Sequence, residues 1–133
     1  MIAVRSAIFS LAATMFGIGA LALMPGAGAN AQSAAAPDGA TLYRMRCGSC
    51  HTIDTNRTGP LHRGVVGRRA ASVAGYNYSP ALRASNITWT PQALDQWLQG
   101  PQRMVRGSRM FFTVANPQER AAIIAYLRSQ SAR

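Results

Sequence analysis

Residues 45–54 read Met45-Arg46-Cys47-Gly48-Ser49-Cys50-His51-Thr52-Ile53-Asp54. The stretch holds both cysteines of the 133-residue chain and one of its two histidines. Three readings of the paired thiols fail. A structural zinc site needs four nitrogen or sulfur ligands in a tetrahedral array, and beyond Cys47, Cys50 and His51 only His62 remains. A thioredoxin-type redox pair sits in a βαβ context, but the preceding "PDGATLYRMR" has no strand alternation. A Cys47–Cys50 disulfide would close a very small loop and leave His51 without a purpose. The remaining reading of C-x-x-C-H is covalent haem attachment. Positions i and i+3 share a face of a helical turn, so both thiols can add to the two vinyl groups on one haem edge. His51, next in the chain, can then turn its imidazole toward the iron.

Haem attachment implies export, and the N-terminus supplies the means. "MIAVR" carries one positive charge, "SAIFSLAATMFGIGALALM" is apolar and uncharged, and "PGAGANA" breaks the run with small residues. Ala29-Asn30-Ala31 fits the A-x-A rule for signal-peptide cleavage before Gln32, with Ala27-Gly28-Ala29 as a second position. Residues 1–31 are therefore expected to be a signal peptide and residues 32–133 one small domain, periplasmic after export. The alternative is a retained anchor, since the apolar run approaches the roughly 20 residues that span a bilayer; only then would the protein be membrane-bound. A domain of this size is marginal on protein atoms alone, and a large apolar haem at its centre would supply buried surface.

The charge is one-sided. All fourteen basic residues are Arg, and the acids are Asp38, Asp54, Asp95 and Glu119. Cleavage before Gln32 removes only Arg5. Such an excess favours acidic partners and steers encounter over long range. Nucleic acid is the other common partner of a basic chain, but an exported haem protein points away from it. No repeat or linker suggests a second domain or an oligomer, and a monomer is expected.

Local signals predict a short all-α fold with long loops. A first helix is expected from about Pro37 or Asp38 into the haem motif, with Asp38 as cap. "HTIDTNRTGPLHRGVVGRRAASVAGYNYSPA" is rich in turn residues and reads as loop. In "TWTPQALDQWLQGP", Thr90 is an N-cap, Pro91 the first helical residue and Gly100-Pro101 the stop, with Leu94, Trp97 and Leu98 as the buried stripe. In "NPQERAAIIAYLRSQ", Asn116 and Glu119 form a capping box around Pro117. Ile123, Ile124 and Leu127 face inward, with Tyr126 on the same face. No segment reads as a strand.

A second axial ligand must come from Met45, Met104, Met110 or His62. Met45 is too close to the attachment site to reach the other haem face, and His62, two residues after Pro60, stays on the His51 side. Met104 and Met110 flank "VRGSR". Gly107 favours Met110, because it lets a loop turn a side chain inward, although a buried Met is more often core filler.

Taken in order, "CGSCH", "TGPLHRGVVGR", "GYNYSPAL", "ITWT", "RGSRMFF" and "AAIIAYLRS" resemble the class I c-type cytochromes, closest to the mitochondrial and cytochrome c2-like branch. The resemblance runs from about residue 37 to residue 130. It implies a small all-α cytochrome c fold of three to five helices around one covalent haem c. Cys47 and Cys50 resemble the thioether positions, His51 the proximal ligand and Met110 the distal one. Pro60 resembles the proline whose carbonyl orients that histidine. Tyr78 and Trp89 match residues that hydrogen-bond a propionate, Arg68 the arginine that helps neutralise it, and Phe112 the aromatic at the haem edge. Gly39 and Tyr43 match the contact between first and last helices, with Ile123 and Tyr126 opposite.

The chain departs from that pattern at several places. Leu61 and His62 stand where the family usually has a polar residue followed by leucine. Leu82 replaces an Asn common in an internal water network, and Arg106 replaces a Pro. The loop from His51 to Pro60 is shorter than in mitochondrial members. Trp97 replaces a Tyr whose hydroxyl donates to the methionine sulfur. Indole carries one N–H in a different position, and if that N–H misses, the sulfur loses one support.

The function these residues imply is a periplasmic one-electron carrier, not an enzyme. His/Met ligation saturates the iron and raises its potential. The chain would shuttle electrons between respiratory or dehydrogenase partners, docking on acidic faces of an oxidase, reductase or dehydrogenase. Arg46, Arg103, Arg106 and Arg109 are the candidate basic ring. The competing readings are a haem enzyme such as a peroxidase, or a gas-binding cytochrome, each requiring an open distal position.

Overall fold

Asp38 caps the first described helix. In the computed structural model, which describes residues 37–131, its carboxylate accepts from the N–H groups of Ala40 (2.9 Å) and Thr41 (3.1 Å). The proposed signal peptide, residues 1–31, lies outside the described residues. Helix α1 spans Gly39–Arg46 and ends at Cys47, the first residue of the haem motif. Beyond it, the N–H groups of Cys50 and His51 both donate to the Cys47 carbonyl, at 3.1 and 2.9 Å. That single turn keeps the cysteines and His51 close together without a continuing helix.

Four more helices follow: α2 (Pro80–Ala84), α3 (Pro91–Gln99), α4 (Pro101–Met104) and α5 (Pro117–Ser129). Each begins with proline, whose missing N–H costs nothing at that position. The segment read as loop through "YNYSPA" ends in α2, which Ser79 caps by accepting from Leu82 N–H at 3.2 Å. Thr90 caps α3 as expected. Gly100 ends α3, but Pro101 opens α4 at once instead of stopping the chain. Four residues are too few to show a helical pattern in sequence. At α5, Asn116 accepts from Gln118 (2.8 Å) and Glu119 (3.3 Å) N–H groups. Glu119 does not return to the Asn116 N–H, so the box is half formed. Its carboxylate instead pairs with Arg46 at 3.0 and 3.1 Å, tying the end of α1 to the start of α5.

The core forms where α1 packs on α5 and α5 on α3. Ile123 is fully buried, and Leu42, Tyr43, Leu94, Trp97, Leu98, Ile124 and Leu127 surround it. The Tyr43 and Tyr126 rings lie 5.2 Å apart. Gly39 lies against the Ala122 carbonyl and Tyr126 Cβ, so α1 approaches α5 closely at that point. Among the described residues there is no sheet, only one isolated antiparallel bridge between Arg69 and Thr88. The fold is all-α.

The long segment from Thr52 to Tyr78 is held by backbone bonds at intervals. Gly59 N–H donates to Cys50 O (2.8 Å), His62 N–H to Thr52 O (2.9 Å) and Gly67 N–H to Trp89 O (2.9 Å). A Cβ at Gly39 would overlap the Ala122 carbonyl, a rigid backbone atom. Gly39→Ala is therefore expected to push α1 off α5 and cost about 1–3 kcal/mol, measured as a lowered denaturant midpoint with unchanged m-value.

Candidate functional site

The helices and the long loop enclose a cavity of about 640 Å³, within the usual range of about 300–1,000 Å³ for cofactor sites. Cys47, Cys50, His51, Pro60, Arg68, Tyr78, Trp89, Trp97, Met110 and Phe112 all line it. Every site residue expected from the sequence thus meets in one place, although they lie between Cys47 and Phe112 in the chain. Met104 does not line it.

His51 is presented with a defined tautomer. Its Nδ1 lies 2.8 Å from the Pro60 carbonyl. A carbonyl only accepts, so Nδ1 carries the hydrogen and Nε2 keeps its lone pair, as a metal-ligating imidazole requires. Burial lowers the His51 pKa despite the opposing bond to Pro60, which favours this neutral form. Gly59 makes the arrangement possible, since a Cβ there would occupy the space of the His51 ring. The Gly-Pro pair was visible in sequence, but the reason for the glycine was not.

His62 occupies the side of His51 that its place after Pro60 predicts. The two rings stack at 4.1 Å with 18° between planes. The Tyr43 hydroxyl lies 3.2 Å from His62 Nδ1. Burial, then the neighbouring His51 and Arg68, push the His62 pKa well below its ordinary value.

On another wall, Gly107 turns the chain with φ 86°, and Met110 lines the cavity three residues on. The Trp97 indole N–H donates to Met110 Sδ at 3.1 Å. The indole N–H therefore does not miss the sulfur, and the support is kept. Trp97 faces inward from α3, and its larger ring carries the N–H within reach. Trp89 packs edge-on against Trp97, with centroids 5.1 Å apart.

The remaining polar groups point to an acidic ligand. Arg68 donates to the carbonyls of Arg63 (2.7 Å) and Leu61 (2.9 Å). Among the described residues no carboxylate pairs with it, and burial lowers its pKa. The Trp89 indole N–H likewise has no protein acceptor among them. Tyr78 is buried close by, and that burial raises its pKa. Burial and then the adjacent Cys50 raise the Cys47 thiol to about 11, whereas Cys50 is exposed. Leu82 makes its part of the wall apolar.

At the mouth stand Phe111, 75% exposed, Phe112, 45% exposed, and Met45. Arg46 and Arg109 also line it, but Arg103 and Arg106 do not, which narrows the expected ring of four. Arg109 is fixed by a bond to the Asn77 carbonyl, and Arg103 by one to Gln99. Among the described residues no three His, Cys, Asp or Glu side chains converge as a metal-ion site.

An apolar cavity with two thiols, an oriented imidazole, a thioether and unpaired cationic and N–H groups fits a covalently held haem with acidic side arms. The comparisons agree. The family model described as cytochrome c matches residues 36–131. A cytochrome c2 of Rhodopila globiformis is 43% identical over 93 residues, covering 68% of this chain and 88% of its own. Another cytochrome c2, from Rhodomicrobium vannielii, is 37% identical over 106 residues, covering 77% and 85%. The solved structure of cytochrome cH from Methylobacterium extorquens aligns with TM-score 0.66 and 37% identity, over 70% of this chain and 99% of that one. The chain belongs to the cytochrome c family, in the class I branch that includes cytochromes c and c2. Family membership implies a covalently bound haem c and a role in electron transfer.

The His62 environment has a consequence for pH. Its folded pKa lies below the unfolded value of about 6.5, so the native state resists protonation. Stability contributed by its neutral form is complete above that value and is lost as pH falls from it toward the folded pKa. Thermal unfolding of the holoprotein should show stability declining below about pH 6.5, and His62→Phe, which keeps a ring on His51, should flatten the decline. Identical slopes in the two proteins would contradict this origin.

Proposed function

We propose that the chain is a periplasmic one-electron carrier in which His51 and Met110 are the axial ligands of a haem c joined to Cys47 and Cys50. The observation that carries the reading is that His51 and Met110 line one cavity, each already oriented, by Pro60 and by Trp97. When bound, the haem supplies the one-electron couple. Thioether ligation favours its reduced form.

The chain's residues hold and bias that group. His51 contributes the Nε2 lone pair, and the Pro60 carbonyl fixes its ring and raises its basicity. Arg68, Trp89 and Tyr78 hold the propionates, with Arg68 offsetting their charge. Trp97 keeps the Met110 sulfur turned inward. Leu82, Leu94 and Leu98 exclude water from the walls. Ligands supplied from both segments leave no open position for an enzymatic or gas-binding site, and His62, the spare histidine, is stacked on His51.

Export through residues 1–31 places the carrier in the periplasm, unless that segment is retained as a membrane anchor. The protein acts as a monomer toward redox partners with acidic faces. Arg46 and Arg109 at the mouth, beside the exposed Phe111 and Phe112, orient those encounters.

Met110→Ala should abolish the methionine-to-iron charge-transfer band and lower the reduction potential sharply, while Met104→Ala changes neither. Trp97→Phe should retain the band at neutral pH but lose it at lower alkaline pH than the wild type, by the worth of one hydrogen bond, roughly 0.5–1.5 kcal/mol. A high-spin ferric spectrum of the wild type at neutral pH would refute the His/Met assignment. For the docking reading, the second-order rate of reduction by an acidic partner should fall as salt rises. The Debye length shrinks from about 10 Å at 0.1 M to about 3 Å at 1 M, and a rate flat over that range would show that the arginine excess does not steer encounter.

A further inference from the structure

Met110 lies in a stretch with little backbone support. The Ser108 N–H donates to Val105 O at 3.1 Å, and the Val114 N–H to Leu98 O at 2.8 Å. Between those two bonds no residue from 109 to 113 makes a backbone–backbone hydrogen bond. Five residues without a ladder carry a large conformational entropy, yet one of them must deliver its sulfur to a defined place.

One side chain compensates. Gln102, on the four-residue α4, directs its amide nitrogen at three acceptors: Ser108 O (2.7 Å), Ser108 Oγ (2.7 Å) and Met110 O (2.9 Å). Its amide oxygen accepts from Gly107 N–H at 3.2 Å. The network fixes the amide orientation, because the reversed group would set its oxygen against two carbonyl oxygens. Ser108 is buried, so its carbonyl and hydroxyl depend on such partners. Gln102 therefore grips the turn at Gly107, the buried Ser108 and the Met110 backbone together. Trp97 grips the Met110 sulfur from α3. Helices α3 and α4 are separated only by Gly100, so both holds on Met110 originate from one short, well-anchored piece of chain.

We propose that Gln102 is a positioning residue: its carboxamide holds the Met110 loop in its ligating conformation in place of a backbone ladder. The inference rests on Met110 being an axial ligand. Gln102 acts through the Met110 carbonyl and the Gly107–Ser108 turn. Any external ligand that displaces Met110 must first open this loop, and the Gln102 bonds set how often it opens.

Imidazole titration of the ferric holoprotein, followed by the methionine-to-iron band, reads that opening directly. Gln102→Glu keeps the shape and the acceptor for Gly107 but turns an oxygen toward the Ser108 and Met110 carbonyls. It should raise the apparent imidazole affinity about tenfold, the effect of losing one to two net hydrogen bonds. Gln102→Met, of similar length and without the amide, should raise it about three- to tenfold, and carries the test if the glutamate variant does not fold. Gln96→Glu, an exposed change of the same charge on α3, should leave it unaltered. Unchanged affinity in the Gln102 variants, with the wild-type band intact, would overturn the proposal while leaving the His51/Met110 assignment standing. A wild type without the band would instead overturn that assignment and the proposal with it.

Discussion

The constraint on which the described residues depend is a central apolar cavity that the chain must wall in with few helices. Apolar residues surround this cavity of about 640 Å³. Among the described residues α5 packs on α1 and on α3, and α4 packs on α3. The rest of the chain closes around the cavity as loops whose side chains have an inner surface to meet. Long irregular segments usually argue against a compact domain; here a large apolar group at the centre gives them something to pack on.

Two kinds of support hold the pieces. Near the attachment site the support is backbone: one turn at Cys47–His51, the Gly59 bond to Cys50, and the Pro60 carbonyl on His51. Near Met110 it is side chain: Trp97 on the sulfur and Gln102 on the loop. The difference matters chemically. A histidine on a hydrogen-bonded turn is held by groups that cannot leave without local unfolding. A methionine on an unladdered loop is held by a few side-chain contacts, each worth little alone. The Met110 side is therefore the weaker half of the site and the one a substitution can tune.

Charge is handled in the same economical way. Arg120 is buried, but it is satisfied by Asp95 at 2.7 Å and by the Val114 and Ala115 carbonyls at 3.0 and 2.8 Å. It thereby ties α5 to α3 and to the end of the Met110 loop. Arg46 pairs with Glu119 yet stays partly exposed at the mouth. Arg68, half-buried in the cavity wall, has only carbonyl partners, which is why it suits an acidic group brought by a cofactor.

Much of the site was legible in the sequence because its parts are covalent or local. The C-x-x-C-H spacing is chemistry read directly from the chain. Asp38, Ser79, Thr90 and Asn116 are caps whose partners lie within three residues, although Ser79 was read as turn because its helix is only five residues long. Leu94, Trp97 and Leu98 declared their buried face through their spacing. What the tertiary structure alone decided were contacts between distant segments, whose geometry no local pattern carries. Glu119 chose Arg46 over its own cap because α1 and α5 cross there. Gly59 is required by the ring of His51, eight residues earlier. His62 stacks on His51 because the loop folds back along Thr52. The Trp97 N–H reaches the sulfur because α3 and the Met110 loop lie side by side, a distance that residue identity could not supply. Gln102 had no signal at all, since a glutamine in a polar stretch is ordinarily solvated, and only the folded turn brings three acceptors within reach of its amide.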